Sequence, residues 1–334
     1  PRPVPEKREA GERKRDFSEV ESVLAEEEVV EAAKRCLECG ICSECLQCVF
    51  ACRAEAINHN DREEKIDLKV GAVILTPGFK TVEGNIRPEF GYGVYPNVVT
   101  SLEFERMLSA SGPYAGVVQR PSDAGHPRKI AFIQCVGSRD ISCGQDYCSS
   151  VCCMYATKEA IIAKEHANFV EPTIFYMDVR AHGKGFDAYY ERAKSEYGVR
   201  YIKCMVSRIR EHFKTKNLLV TYLDEGGKLI EEEFDLVVLS VGMVPSKETV
   251  EMAKRMGIEV DAHGFCKTRP FEPTSTSKPG VYVCGVFQGP KDIPETVSQA
   301  SGAVADAAGL IASARGTMVT KKEYPPEADV TAEE

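Results

Sequence analysis

The sequence predicts an α/β protein, built on a parallel sheet with helices between its strands, a small antiparallel meander and a separate cysteine-rich segment. Three observations carry that expectation. Apolar, strand-like runs alternate with helical periodicity between residues 129 and 204. Two further apolar runs, each closing on glycine, bracket that stretch at Gly78 and Gly242. Eleven of the 14 cysteines fall in two short clusters, Cys36 to Cys52 and Cys135 to Cys153. Metal ligands are distributed in this way, whereas a secreted disulfide framework would follow a signal peptide, and none is visible.

Composition narrows the function. With 334 residues, 43% of them hydrophobic, the chain has enough apolar material for two or three domains. A net charge of -9 argues against nucleic acid, which needs a basic face. The acidic runs Glu26-Glu27-Glu28 and Glu231-Glu232-Glu233 read as solvated faces. No apolar run approaches the roughly 20 residues of a membrane span, so a cytoplasmic, soluble protein is expected. Because the first residue is Pro1 rather than Met, a processed product or fragment is expected too.

Residues 1–35 read as an extended Pro- and charge-rich arm leading into a short acidic helix over 17–35. Residues 36–64 hold the first cysteine cluster: Cys36, Cys39, Cys42, Cys45, Cys48 and Cys52. Its last four members have the C-x2-C-x2-C-x3-C spacing of bacterial ferredoxins, with Arg53 in place of the usual Pro. C-x2-C pairs also bind zinc, but six cysteines in so short a run exceed the needs of one tetrahedral ion. Cys36 and Cys39 are surplus to one four-iron cluster and leave room for a second.

Residues 65–127 begin with an apolar strand over 66–77 that runs into Thr76-Pro77-Gly78. Two-dinucleotide flavoproteins of the thioredoxin reductase type have such a strand where the chain leaves the FAD domain. The run over 234–242 repeats the signature where that fold returns. Between them, residues 128–243 read as strand 129–134, helix 152–166, strand 173–178, helix 186–197, strand 199–204 and a hairpin over 218–233, turning at Asp224-Glu225-Gly226-Gly227. A dinucleotide domain would carry a G-x-G-x-x-G loop after its first strand. Here that loop holds Cys135, Gly137, Cys143, Cys148, Cys152 and Cys153 instead, so thiols stand where a pyrophosphate would sit. Asp178, in the place of a ribose-binding acid, reads without that loop as a capping or anchoring residue. Residues 244–316 contribute a strand closing on Gly285 and a helix over 297–315 rich in small residues, read as the cover of a flavin. Residues 317–334 form a charged tail, expected to be disordered.

The chain resembles the A subunit of heterodisulfide reductase and its bacterial relatives. The resemblance lies in the Cys36 to Cys52 run, the Phe-Ile-Gln-Cys-Val-Gly-Ser-Arg-Asp stretch around Cys135, the C-x12-C-x3-C-C spacing of Cys135, Cys148, Cys152 and Cys153, and the Gln288-Gly-Pro-Lys-Asp-Ile-Pro stretch. It implies a partial thioredoxin reductase-like two-dinucleotide-binding fold with a ferredoxin-like insert, lacking the Gly-rich FAD half and the C-terminal ferredoxin domain. It implies 4Fe-4S clusters, one on Cys135, Cys148, Cys152 and Cys153 and one or two in the N-terminal run, with Cys143 a bystander. FAD would be shared with a missing half or partner chain. Its expected neighbours are Lys158 near the flavin N5, and Thr76, Gly78, Gly285, Gln288, Asp292 and Thr296; Val286 stands where related flavoproteins carry a ribityl-binding Asp. The implied activity is flavin-based electron bifurcation, with no general acid, base or nucleophile. The implied partners are the other subunits of the complex, ferredoxin and a hydrogenase or dehydrogenase. Two rival readings are a related subunit feeding a quinone-linked or benzoyl-CoA-reducing complex, and a zinc-stabilised scaffold. A simple NAD(P)H-dependent disulfide reductase would need the missing glycines and a Cys-x-x-Cys in the nucleotide domain.

Overall fold

The structure is a computed structural model and describes residues 3–34, 45–314 and 316. Cys36, Cys39 and Cys42, the last residues of the expected 17–35 and 297–315 helices, and the 317–334 tail lie outside the described residues. One compact unit takes in the first 65 residues and a second begins at Ile66.

In the first unit the expected helix is shorter. α1 spans Glu26–Ala33, because the residues before it are used otherwise. Lys7 and Glu21 pair as an antiparallel bridge, and Arg8 binds the Asp16 carboxylate through both guanidinium nitrogens. The arm therefore folds back on itself rather than lying extended. α2 (Gln47–Ala51) follows Leu46, which takes a left-handed φ of 63°.

The second unit holds the predicted parallel sheet. Its strands are β3 (Val98–Thr100), β4 (Lys129–Val136), β5 (Glu171–Tyr176), β6 (Arg200–Lys203) and β10 (Leu236–Val241). They lie in the order β3-β10-β4-β5-β6, and every neighbouring pair is parallel. Such a sheet is covered on both faces, so its central strands read as continuous apolar runs; all six residues of β10 are buried. One face packs against α3 (Ser101–Leu108) and α4 (Cys152–His166), with α5 (Phe186–Ser195) beside α4. Ala156, Ala160 and Ala163 are buried on α4 and let it sit close to the sheet. Phe104 and Phe132 meet edge to face in this layer, centroids 5.6 Å apart. The other face carries an antiparallel meander of β7 (Val206–Glu211), β8 (Leu218–Leu223) and β9 (Leu229–Phe234). The first of these strands is an addition to the predicted hairpin.

A second sheet, in the order β1-β14-β13-β12, joins β1 (Val73–Leu75), β12 (Thr268–Arg269), β13 (Glu272–Thr276) and β14 (Val281–Val283). β1 and β14 are parallel and the rest antiparallel. The expected 66–77 strand shrinks to three residues because β14 offers only three partners. α6 (Lys247–Met256) packs beneath this sheet, and α7 (Ile293–Leu310) lies against β13 and β14. α7 begins four residues before the predicted start of 297. The cause is Asp292, whose carboxylate caps the Glu295 N–H, and Pro294, which is accommodated in a first helical turn. A short ribbon, β2 (Lys80–Thr81) with β11 (Met243–Val244), ties the two sheets where the chain leaves and re-enters the second.

Candidate functional site: a thiol loop and a glycine turn

The thiol loop starts with a break in the register of β4. Leu239 faces Ile133 but Val241 faces Val136, so Gln134 and Cys135 share one position opposite Ser240. Such a bulge lets the strand re-aim its last side chains. Cys135 takes a left-handed φ of 61°, and Arg139 and Ser150 follow with 56° and 67°. Left-handed non-glycine residues cost about 1–3 kcal/mol each and gather at functional sites. The loop is held in this shape by its main chain: the Arg139 N–H donates to Tyr147 O at 2.8 Å, and the Tyr147 hydroxyl to Met243 O at 2.8 Å. The buried Ser138 and Ser149 hydroxyls lie 2.5 Å apart. Gly242 has no room for a side chain, since a Cβ there would lie 2.5 Å from Ser138 Oγ and 2.7 Å from Gly137 O.

The loop delivers four thiols to the carboxyl end of the sheet and the first turn of α4. The Ser150 N–H donates to Cys148 Sγ at 3.3 Å, and the Cys153 thiol points to Asp178 O at 3.7 Å. Cys152 is buried, while Cys135, Cys148 and Cys153 are half-buried. Burial pushes the Cys135 thiol up to about 11, and the neighbouring Cys153 and Cys148 push the same way. Burial pushes Cys152 higher still, with Cys135, Cys153 and Cys148 all adding. The four thiols thus sit within each other's fields. Cys143 is held apart by its hydrogen bond to Asp140 at 3.2 Å.

Among the described residues, no group of three or more His, Cys, Asp or Glu side chains closes on a single metal ion. Every described cysteine is a free thiol. In the N-terminal run, the Ala56 N–H donates to Cys52 Sγ at 3.4 Å and Cys48 Sγ lies 3.6 Å from His59 Nε2. Cys45, like Cys48, is exposed.

A glycine turn forms at the carboxyl ends of β1 and β14, which are bonded where the Cys284 N–H meets Leu75 O. Thr76 and Gly78 follow one strand and Gly285 follows the other. Gly285 has φ 74°, and a Cβ on it would press Thr296 Cγ2 at 3.3 Å. Its N–H donates to Gln299 Oε1 at 2.9 Å, and Gln299 donates in turn to Gln288 Oε1 at 3.2 Å. The structure therefore brings Gly285, Gln288, Asp292 and Thr296 into one turn. Asp292 is engaged as the α7 cap. Two members of this turn escape sequence reasoning. Gln299 lies one turn beyond Thr296, and Lys291 sits in the Gly-Pro-Lys-Asp stretch itself. The Lys291 ammonium meets Gly285 O, Gln288 Oε1 and Gly289 O at 2.7–2.9 Å, with no carboxylate within ion-pair distance among the described residues. Burial lowers its pKa.

The Lys158 ammonium pairs with Glu105 of α3 at 2.6 Å. Beside it, Glu159 is 2% exposed and its Oε2 has no partner. Burial raises the Glu159 pKa well above the usual range, Glu105 adds to the rise and Lys158 opposes it. The folded state therefore holds a proton that the unfolded chain releases near 4.3. That contribution is complete at acid pH and is lost as pH climbs towards the folded pKa, at about 1.4 kcal/mol per unit between the two. Glu159→Gln should show a shallower loss of urea stability between pH 5 and pH 8 than the parent; parallel curves would show that Glu159 stays ionised.

The pyridine nucleotide-disulphide oxidoreductase family matches residues 146–306. Among curated relatives, the iron-sulfur A subunit of the CoB--CoM heterodisulfide reductase of Methanocaldococcus jannaschii is 44% identical over 271 residues, 80% of this chain and 40% of that one. The A subunit of the H(2):CoB-CoM heterodisulfide,ferredoxin reductase of Methanothermobacter thermautotrophicus is 43% identical over 272 residues, 80% of this chain and 41% of that one. The second of two such iron-sulfur A subunits in Methanopyrus kandleri is 46% identical over 263 residues, 78% of this chain and 40% of that one. Over this stretch the chain is a homologue of heterodisulfide reductase A subunits. It spans about two fifths of the length of those relatives. A thioredoxin reductase from T. acidophilum is 18% identical with a TM-score of 0.47, over 71% of this chain and 65% of that one, a likeness too distant to assign anything. No helix among the described residues is long and apolar enough to cross a membrane.

Proposed function

We propose that this chain is the electron-relay portion of a heterodisulfide reductase-type oxidoreductase. The observation that carries the reading is the gathering of four mutually interacting thiols, in a loop rich in left-handed residues, at the carboxyl end of a parallel sheet. Ligands of open parallel sheets bind at that end. Turns with left-handed residues aim main-chain N–H groups inward, as phosphate and iron-sulfur sites require. On this reading Cys135, Cys148, Cys152 and Cys153 hold one 4Fe-4S cluster, and the Cys36 to Cys52 run holds one or two more. Thr76, Gly78, Gly285, Gln288, Asp292 and Thr296 line the flavin side, with Lys158 the candidate neighbour of its N5.

When bound, the flavin exchanges electrons in pairs and the clusters exchange them singly, which is the chemistry needed to divide a pair between ferredoxin and a disulfide-reducing subunit. The protein's part is to hold these groups close, in a dry setting. The Gly285 turn is stiffened by Gln299 and Lys291. Lys291 brings to it a cation with no carboxylate partner among the described residues, which would favour an electron-rich ligand. The other half of the flavin site falls to a polypeptide segment carrying a Gly-rich βαβ unit. Two features support such a partner: β1 is an edge strand of its sheet, and α7 exposes Ile293, Val297 and Val304 along one side. The donor is proposed to be a hydrogenase or dehydrogenase subunit, and the location the cytoplasm.

The test is anaerobic purification with iron, sulfide and flavin counted per chain. About eight irons, with FAD retained only when a second polypeptide co-purifies, is the expected result. Four irons or fewer, or zinc in their place, would sink the reading.

A further inference from the structure

Asp178 stands in the place of a ribose-binding acid, just beyond the end of β5, but the structure gives it two guanidiniums for company. Arg139 Nη1 donates to Asp178 Oδ1 at 2.5 Å, and Arg180 Nε reaches the same oxygen at 3.4 Å. The group is tied to the thiol loop by its main chain. The Cys153 thiol lies 3.7 Å from Asp178 O, and Arg139 is pinned in its left-handed conformation by Tyr147 O. Two cations and one anion leave a fixed charge of plus one beside Cys153.

We propose that Arg139, Asp178 and Arg180 form a charge triad that sets the reduction potential of a cluster bound at Cys135, Cys148, Cys152 and Cys153. The two guanidiniums favour the electron-rich state and the carboxylate opposes them. This rests on the ligation proposed above. Arg139 lines the same cavity as Cys135, and the Cys153 thiol sits against the main chain of Asp178. An electron added to a cluster is one more negative charge, stabilised by a nearby cation and destabilised by a nearby anion. Cluster potentials follow net charge, hydrogen bonding and exposure. All three side chains are partly exposed, which screens each contribution without cancelling its sign.

The sign is what separates this role from a merely structural one. Loss of a structural ion pair weakens the fold whichever partner is removed, whereas the triad predicts opposite shifts for its cations and its anion. The chain, loaded with iron and sulfide under anaerobic conditions, would be titrated redox-wise with EPR detection at fixed pH and ionic strength. The signal lost in Cys152→Ala identifies the cluster concerned. Arg139→Gln and Arg180→Gln should lower its midpoint potential, Asp178→Asn should raise it, and Arg139→Lys should stay near the parent value. The signal of the N-terminal cysteine run should move in none of them. Shifts of one sign, or no shift in a fully loaded chain, would overturn the triad and leave the ligation standing. A parent chain that takes up no iron dependent on Cys152 would overturn both.

Discussion

Cys152→Ala is expected to release about four irons per chain, half of the full complement, with the matching sulfide. Cys152 is the buried member of the thiol group, and burial drives its pKa far up. A buried thiol in that state is a poor nucleophile and a poor surface residue. A metal centre would make its ionised form favourable. Alanine is well suited to the position, because the inner side of α4 already carries Ala156 and Ala160 against the sheet and alanine favours helix. The fold should therefore survive and the iron should not. Cys143→Ala is the companion measurement, since Cys143 bonds Asp140 rather than the thiol group, and it should leave iron unchanged. Equal iron in Cys152→Ala and the parent would remove Cys152 from the ligand set.

The largest effect on stability is expected from Phe104→Ala. Phe104 is 0% exposed on the inner side of α3 and meets Phe132 edge to face. Truncating a phenylalanine in such a layer costs about 3–5 kcal/mol, from lost transfer energy and the cavity left behind. Urea unfolding followed by circular dichroism should show that loss, with Phe271→Ala, at a fully exposed phenylalanine, near zero. A cost under about 1 kcal/mol at Phe104 would mean that this layer is loosely packed.

Much of the second unit is legible in the sequence because periodicity and burial agree there. The 152–166 helix and the 218–223 strand have the same bounds in sequence and structure, since apolar spacing marks a helix or strand packed on one side. Elements whose existence depends on a partner elsewhere in the chain are not legible. β7 reads as polar because only one of its faces is covered, and β12 and β2 are two residues each. The 66–77 strand comes out too long for the same reason: a run of apolar residues does not reveal how many ladder partners await it. The convergence of Gly285, Gln288, Asp292 and Thr296 is readable from a glycine after a strand and a helix start beyond it. Lys291 and Gln299 are not, because their importance lies in which oxygens they reach. Asp178 reads as an anchoring acid once the glycine loop is missing, yet nothing in its sequence neighbourhood announces that Arg139, 39 residues away, is its partner.

The left-handed residues of the thiol loop bear on how stability is to be measured. Cys135, Arg139 and Ser150 together store several kcal/mol in conformations that an empty loop has every reason to leave. Under the proposed ligation, cofactor binding offsets that cost, so occupancy and folding form one equilibrium rather than two. Melting temperatures of two preparations are then comparable only at equal iron content, and oxidative loss of iron would register as a change in the stability of the polypeptide itself.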